Sequence, residues 1–179
     1  MKRHIQRYLK KEENNVYSVE ECLQILEKMR YMCNEDDDIE VFDEALYRVR
    51  REGDMNVIER LCTVILNDKL EEPLSAMDDV LETIFYISEK YGHIEEGIYI
   101  FLSNGYKIVK NAAFWFEIFN KKLLNTGRLQ EHYISAIKRL DKKNLEILLN
   151  TLDDIEKEDD EDYYKENIDL IRETVKSIE

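Results

Sequence analysis

The side chains of this sequence with the chemistry for catalysis or metal binding are three histidines, three cysteines and several groups of carboxylates. A di-metal carboxylate site in a helical bundle needs Glu-x-x-His pairs facing the core, and none of His4, His93 or His132 has Glu or Asp three residues before it. The patterns His-Glu-x-x-His, Cys-x-x-Cys and Gly-x-Ser-x-Gly are missing, as are a Walker A loop and a dinucleotide glycine fingerprint. His132 stands beside Tyr133 near the inward face of a helix and reads as a packing histidine rather than a base. His93 follows Gly92 and reads as a loop or helix-start residue. Cys22, Cys33 and Cys62 have no metal-like spacing; Cys22 and Cys62 fall at apolar helical positions, where a free thiol behaves as a small hydrophobe in a reducing compartment. The expectation is a protein with no catalytic residues, no metal and no cofactor, and therefore not an enzyme.

Carboxylates and aromatics point instead to binding. On the fifth of the helices read below, Asp78, Glu82 and Glu89 fall within ~40° of one another at ~100° per residue, away from the apolar stripe Met77, Leu81, Ile84 and Ser88. With Glu71, Glu72 and Asp79 nearby and few lysines interleaved, they form an acidic ridge suited to a partner. Reversing all three ridge charges to lysine is expected to leave folding nearly intact and to slow association with that partner. Phe114, Trp115, Phe116 and Phe119 crowd one stretch of the seventh helix, and they cannot all point inward. Either Phe114 or Trp115 must lie at a second packing surface or an exposed patch, and Trp115 is a candidate anchor for a partner. The acidic run Glu156 to Asp162 lacks the glycine and the alternating ligand spacing of an EF-hand loop, so it reads as a hydrated segment favouring the N-terminus of the last helix.

The elements that must position these groups are helices. One proline and five glycines among 179 residues exclude a turn-rich β fold. Apolar spacing gives a short first helix at Ile5, Tyr8 and Leu9, then a second opened by a Ser18/Glu21 capping box. The third is capped by Asp37 or Asp38, and a fourth begins after Asp54. Pro73 stands where a first helical turn tolerates it, ahead of a long fifth helix ending at Gly92. Five more follow: a short helix to Leu102, one from about Lys107 to Leu124, two within Leu129 to Ile155, and a last one through Tyr164, Ile168, Ile171 and Val175. The fold class is all-α: about ten helices as stacked antiparallel hairpins, either an irregular bundle or a HEAT-like array, in one domain over 1–179.

The formal charge is −14, from 40 acidic against 26 basic residues. Such a surface repels phosphate backbones, which excludes nucleic acid as a direct ligand and favours a basic protein partner. The basic N-terminal residues are not followed by an apolar segment, and no apolar run approaches ~20 residues, so neither a signal peptide nor a membrane span is expected and the location is cytoplasmic.

The stretch Leu61-Cys62-Thr63-Val64, then Asp68, Glu72 and Met77, then Trp115, Leu124-Asn125, Tyr133 and Leu140 to Ile155, resembles the all-helical immunity family numbered 30 of bacterial polymorphic toxin systems. The resemblance covers about 42–155, with 1–40 as an N-terminal helical extension and 156–179 as an acidic linker and final helix. It implies a cognate toxin domain as partner, neutralised by binding, with Asp68, Glu72 and Trp115 among the matched positions. The partner-facing set expected from ridge and resemblance together is Asp68, Glu71, Glu72, Asp78, Glu82, Glu89 and Trp115. A helical adaptor or regulatory scaffold for an endogenous protein is the rival reading.

Overall fold

The computed structural model describes residues 17–31, 37–65 and 76–178. Among the described residues there are nine α-helices, two 3-10 turns and no strand. The helices are α1 (Val19–Met29), α2 (Ile39–Glu52), α3 (Ile58–Val64), α4 (Ala76–Lys90), α5 (Ile94–Ser103), α6 (Gly105–Asn125), α7 (Gln130–Ile137), α8 (Lys142–Glu158) and α9 (Lys165–Lys176). They correspond to the second through tenth helices read from the apolar spacing. The expected first helix, Cys33, Pro73, Asp68, Glu71 and Glu72 lie outside the described residues.

Local chemistry sets the helix starts. Ser18 and Glu21 form the capping box ahead of α1, with the Glu21 N–H donating to Ser18 Oγ at 3.3 Å and the Ser18 N–H to Glu21 Oε2 at 2.8 Å. Asp38 caps α2 and Asp141 caps α8, each accepting a backbone N–H at 2.8 Å. Gly92 ends α4 in the left-handed region at φ 69°, where the His93 N–H reaches the Ser88 carbonyl at 2.8 Å and the Gly92 N–H reaches that of Glu89 at 3.0 Å. This is a Schellman closure, which a residue with a Cβ would strain. One element departs from the expected form. α6 is bent at Ala112 (φ −156°, ψ 48°), and just before the break the Asn111 side-chain amide donates to the Lys107 carbonyl at 3.0 Å.

Packing runs between sequence neighbours and between helices two apart: α1 on α2 and α3, α2 on α4, α3 on α5, α4 on α5 and α6, α5 on α7, α6 on α8, and α9 on α8. Even-numbered helices thus form one layer and odd-numbered helices the other, and of the two architectures expected this is the HEAT-like one. The core between the layers contains a column of rings: Phe85 against Phe119 (4.7 Å), Phe119 against Phe101 (3.7 Å) and Phe101 against Phe116 (5.8 Å). The polar pair Tyr133 and Asn120 within it is satisfied, since Tyr133 Oη donates to Asn120 Oδ1 at 2.6 Å and Asn120 Nδ2 to the Phe116 carbonyl at 2.7 Å. Burial pushes the Cys22 thiol up to about 11 and the Cys62 thiol up to about 12, so both are neutral packing groups, as their apolar positions imply.

Candidate partner-binding face

α4 lies between α2 and α6 in the even layer, and its exposed arc has two flanks. Asp78, Glu82 and Glu89 face α6; Asp79 and Tyr86 face α2, with Thr83 at the edge of the core. The ridge expected from the sequence therefore exists as one surface, but its charges do not stand alone. Lys122 of α6 approaches Asp78 at 3.1 Å and Glu82 at 2.6 Å, and Arg128, in the turn after α6, approaches Glu89 at 2.6 Å. Burial works against the Lys122 charge, yet the hydrogen bonds it donates to Glu82 and Asp78, with their charges, outweigh it and hold its pKa above the ordinary lysine value. Beside these pairs is a cleft of about 270 Å³ whose walls include Glu82, Glu89, Lys122, Asn125 and Arg128 over a floor of Phe85 and Leu129. Tyr163 Oη donates to Asn125 Oδ1 at its rim.

The pairing changes what a charge reversal would do. Lysine at 78, 82 and 89 together faces Lys122 and Arg128, so the variant is expected to lose about 1–2 kcal/mol of stability, several exposed pairs of below about 1 kcal/mol each being inverted. Thermal melts at low and high salt check this: the deficit should shrink as ionic strength rises, and a variant as stable as the parent at low salt would refute it. Asn and Gln at these positions, rather than lysine, are the substitutions that probe binding without repulsion inside the fold.

Trp115 is 5% exposed and belongs to the core, while Phe114, whose ring meets the indole edge-on at 5.0 Å, is 46% exposed. Of the two residues that could face outward, Phe114 is the one that does. The signal for Trp115 was in the spacing, because it falls seven residues after Ile108 and four before Phe119, both buried. His93 is exposed at the start of α5 and His132 is half-buried. Among the described residues no three His, Cys, Asp or Glu side chains gather as a metal site. The acidic run before α9 is partly structural: Glu156 and Asp153 hold Arg172 of α9 at 2.7 and 2.6 Å, and Asp159 accepts the Tyr164 N–H at 2.6 Å. No described helix is long and apolar enough to cross a membrane.

Sequence reasoning missed the α2 flank of this face. Asp43, Tyr47 and Arg50 recur at the spacing of one helical stripe, and they border α4 at Asp79, Thr83 and Tyr86. Arg50 stacks over the Tyr86 ring at 4.5 Å.

Residues 28–133, from the end of α1 into α7, match the family of immunity protein 30. The chain belongs to the immunity protein 30 family. No curated protein and no solved structure matches it. The immunity-family segment contains α2, α4 and α6 entire, and so both flanks of the face. It starts earlier and stops earlier than the 42–155 suggested by scattered residues, leaving α8 and α9 beyond it.

Proposed function

We propose that this immunity-family chain binds a cognate toxin domain in the cytoplasm of the cell that makes both, and blocks it through the outward face of α2, α4 and α6. The family match over 28–133 is the observation that carries this reading, since all three helices fall inside it. Occlusion of an active site needs shape and charge rather than catalysis, and the cognate domain of a polymorphic toxin is the partner such a surface serves. The charge of −14 suits a basic toxin, and a nuclease above all, because carboxylates stand where the nuclease holds phosphates. Asp78, Glu82 and Glu89 would then meet the partner as members of ion-pair networks with Lys122 and Arg128, and Asp68, Glu71 and Glu72, which precede α4 in sequence, would extend the negative charge.

A two-layer helical stack is also a fitting scaffold for an endogenous partner, which is the competing reading. Expression in a sensitive host separates the two. The toxin domain encoded next to this chain is expected to stop growth when made alone, to be harmless when the chain is co-expressed, and to co-elute with it as a stoichiometric complex. Growth arrest that persists with the chain present at equal level would end the immunity reading.

A further inference from the structure

Among the described residues, several interhelical approaches of carboxylates bring their own cation. Arg60 of α3 holds Glu20 at 3.2 Å and Glu27 at 2.9 Å on α1, Arg139 holds Glu96 at 2.7 Å, and Arg172 holds Asp153 and Glu156. The groove between α2 and α4 is different. Asp43 and Asp79 both line it, and neither has an ion pair among the described residues. Among the described residues the cation lining it, Arg50, is turned onto the Tyr86 ring, and Arg51 lies over the Tyr47 ring at 5.9 Å. Burial first, and then the charge of Asp79, raise the Asp43 carboxyl above its usual range. Both effects oppose ionisation; a cation arriving from outside would offset the repulsion and, by its own charge, outweigh the burial.

The rest of the groove has the composition of an interface centre. Tyr47 is 57% and Tyr86 42% exposed, and tyrosine and arginine are the side chains that dominate binding energy at protein surfaces. The Arg50 stack holds Tyr86 in place before any partner arrives, which reduces the ordering that binding would require. At about 150 Å³ the cavity is too small for a metabolite, whose pockets run to roughly 300–1,000 Å³, and is scaled to one inserted side chain.

We infer that the α2–α4 groove is a socket for a single lysine or arginine side chain projecting from the toxin, received between Asp43 and Asp79 and flanked by Tyr47 and Tyr86. This rests on the immunity reading. It shifts the charge recognition from the ridge that is already paired to the two carboxylates that have no ion pair among the described residues. A buried interfacial pair of this kind acts mainly on dissociation, whereas the outlying charge of the chain acts on encounter.

The test compares the parent chain with Asp43→Asn/Asp79→Asn for affinity toward a catalytically inert version of the toxin domain that the parent neutralises. The double variant is expected to bind on the order of 30-fold more weakly, chiefly through faster dissociation. Its melting temperature should be unchanged or higher, because a like-charge contact has been removed; a structural role for the two aspartates would lower it. Lysine and arginine residues of the toxin are then replaced in turn by alanine. One of them should have a large effect on the parent and almost none on the double variant, which identifies the inserted side chain. Parent-like affinity of the double variant would overturn the socket while leaving the immunity reading intact. Failure of the parent to neutralise the toxin would remove both. A melting temperature of the parent raised by magnesium or calcium, with the rise lost in the variant, would assign the groove to a metal ion instead, and altered self-association in sedimentation would assign it to a second copy of the chain.

Discussion

Trp115→Ala is expected to destabilise the protein by about 3–5 kcal/mol, the loss typical of removing a large buried aromatic. For a chain of this length each kcal/mol shifts the melting temperature by roughly 2–4 °C, so the melt should fall by about 6–20 °C. The indole is 5% exposed and sits in the part of α6 that follows the bend at Ala112, where Phe116 and Phe119 enter the ring column. Phe114→Ala is the internal comparison: at 46% exposure its removal should change stability by less than about 0.5 kcal/mol. Circular dichroism melts of the two variants decide the matter. A parent-like melt for Trp115→Ala would mean that the indole is not core and would return it to the candidate anchors. With the predicted outcome, Phe114 is the aromatic to truncate when toxin binding is measured, and a faster dissociation would place it in the interface.

The second large effect is at the crossing of α4 and α5. A Cβ on Gly97 would lie 1.8 Å from Ser88 Oγ and 2.7 Å from Ser88 Cβ; rotating the serine can move its hydroxyl aside but leaves the approach to Cβ unrelieved. Alanine is the better helix former by about 1 kcal/mol, so propensity alone would have Gly97→Ala stabilise. Sterics should win here, because the helices must separate along a contact that Ile84, Ile87 and Ile98 otherwise close. The expected net loss is about 1–3 kcal/mol. Ser88→Gly removes the opposing atoms, at the expense of helix propensity and of the bond from Ser88 Oγ to the Ile84 carbonyl at 2.7 Å. Gly97→Ala should therefore be much less harmful in the Ser88→Gly background than in the parent. Strict additivity of the two substitutions in denaturant melts would show that the close approach does not control this crossing.

Helices, caps and the buried thiols were legible in the linear sequence because the interactions that make them are short-range. A capping box spans three residues and an apolar stripe repeats every three or four, so Ser18, Glu21 and the apolar positions of the nine described helices declare themselves without knowledge of the fold, while the cap of α2 is narrowed to Asp37 or Asp38, of which Asp38 is the one used. The absence of recognised catalytic patterns and the excess of negative charge were equally plain, and together with the resemblance they led to the immunity family. What only the tertiary structure decided was the electrostatic character of the face. Asp78, Glu82 and Glu89 look un-neutralised along the chain because their cations stand 44, 40 and 39 residues away, Lys122 on another helix of the same layer and Arg128 in the turn that follows it. Asp43 and Asp79 look like ordinary surface charges because α3 separates their helices in sequence, although the stacking of even-numbered helices makes them neighbours. Ion pairing in a helical stack is set by which helices share a layer, and helix periodicity carries no information about that. Helix periodicity therefore marked candidate carboxylates one helix at a time, and the packing of α2, α4 and α6 decided which of them are paired and which, Asp43 and Asp79, have no ion pair among the described residues.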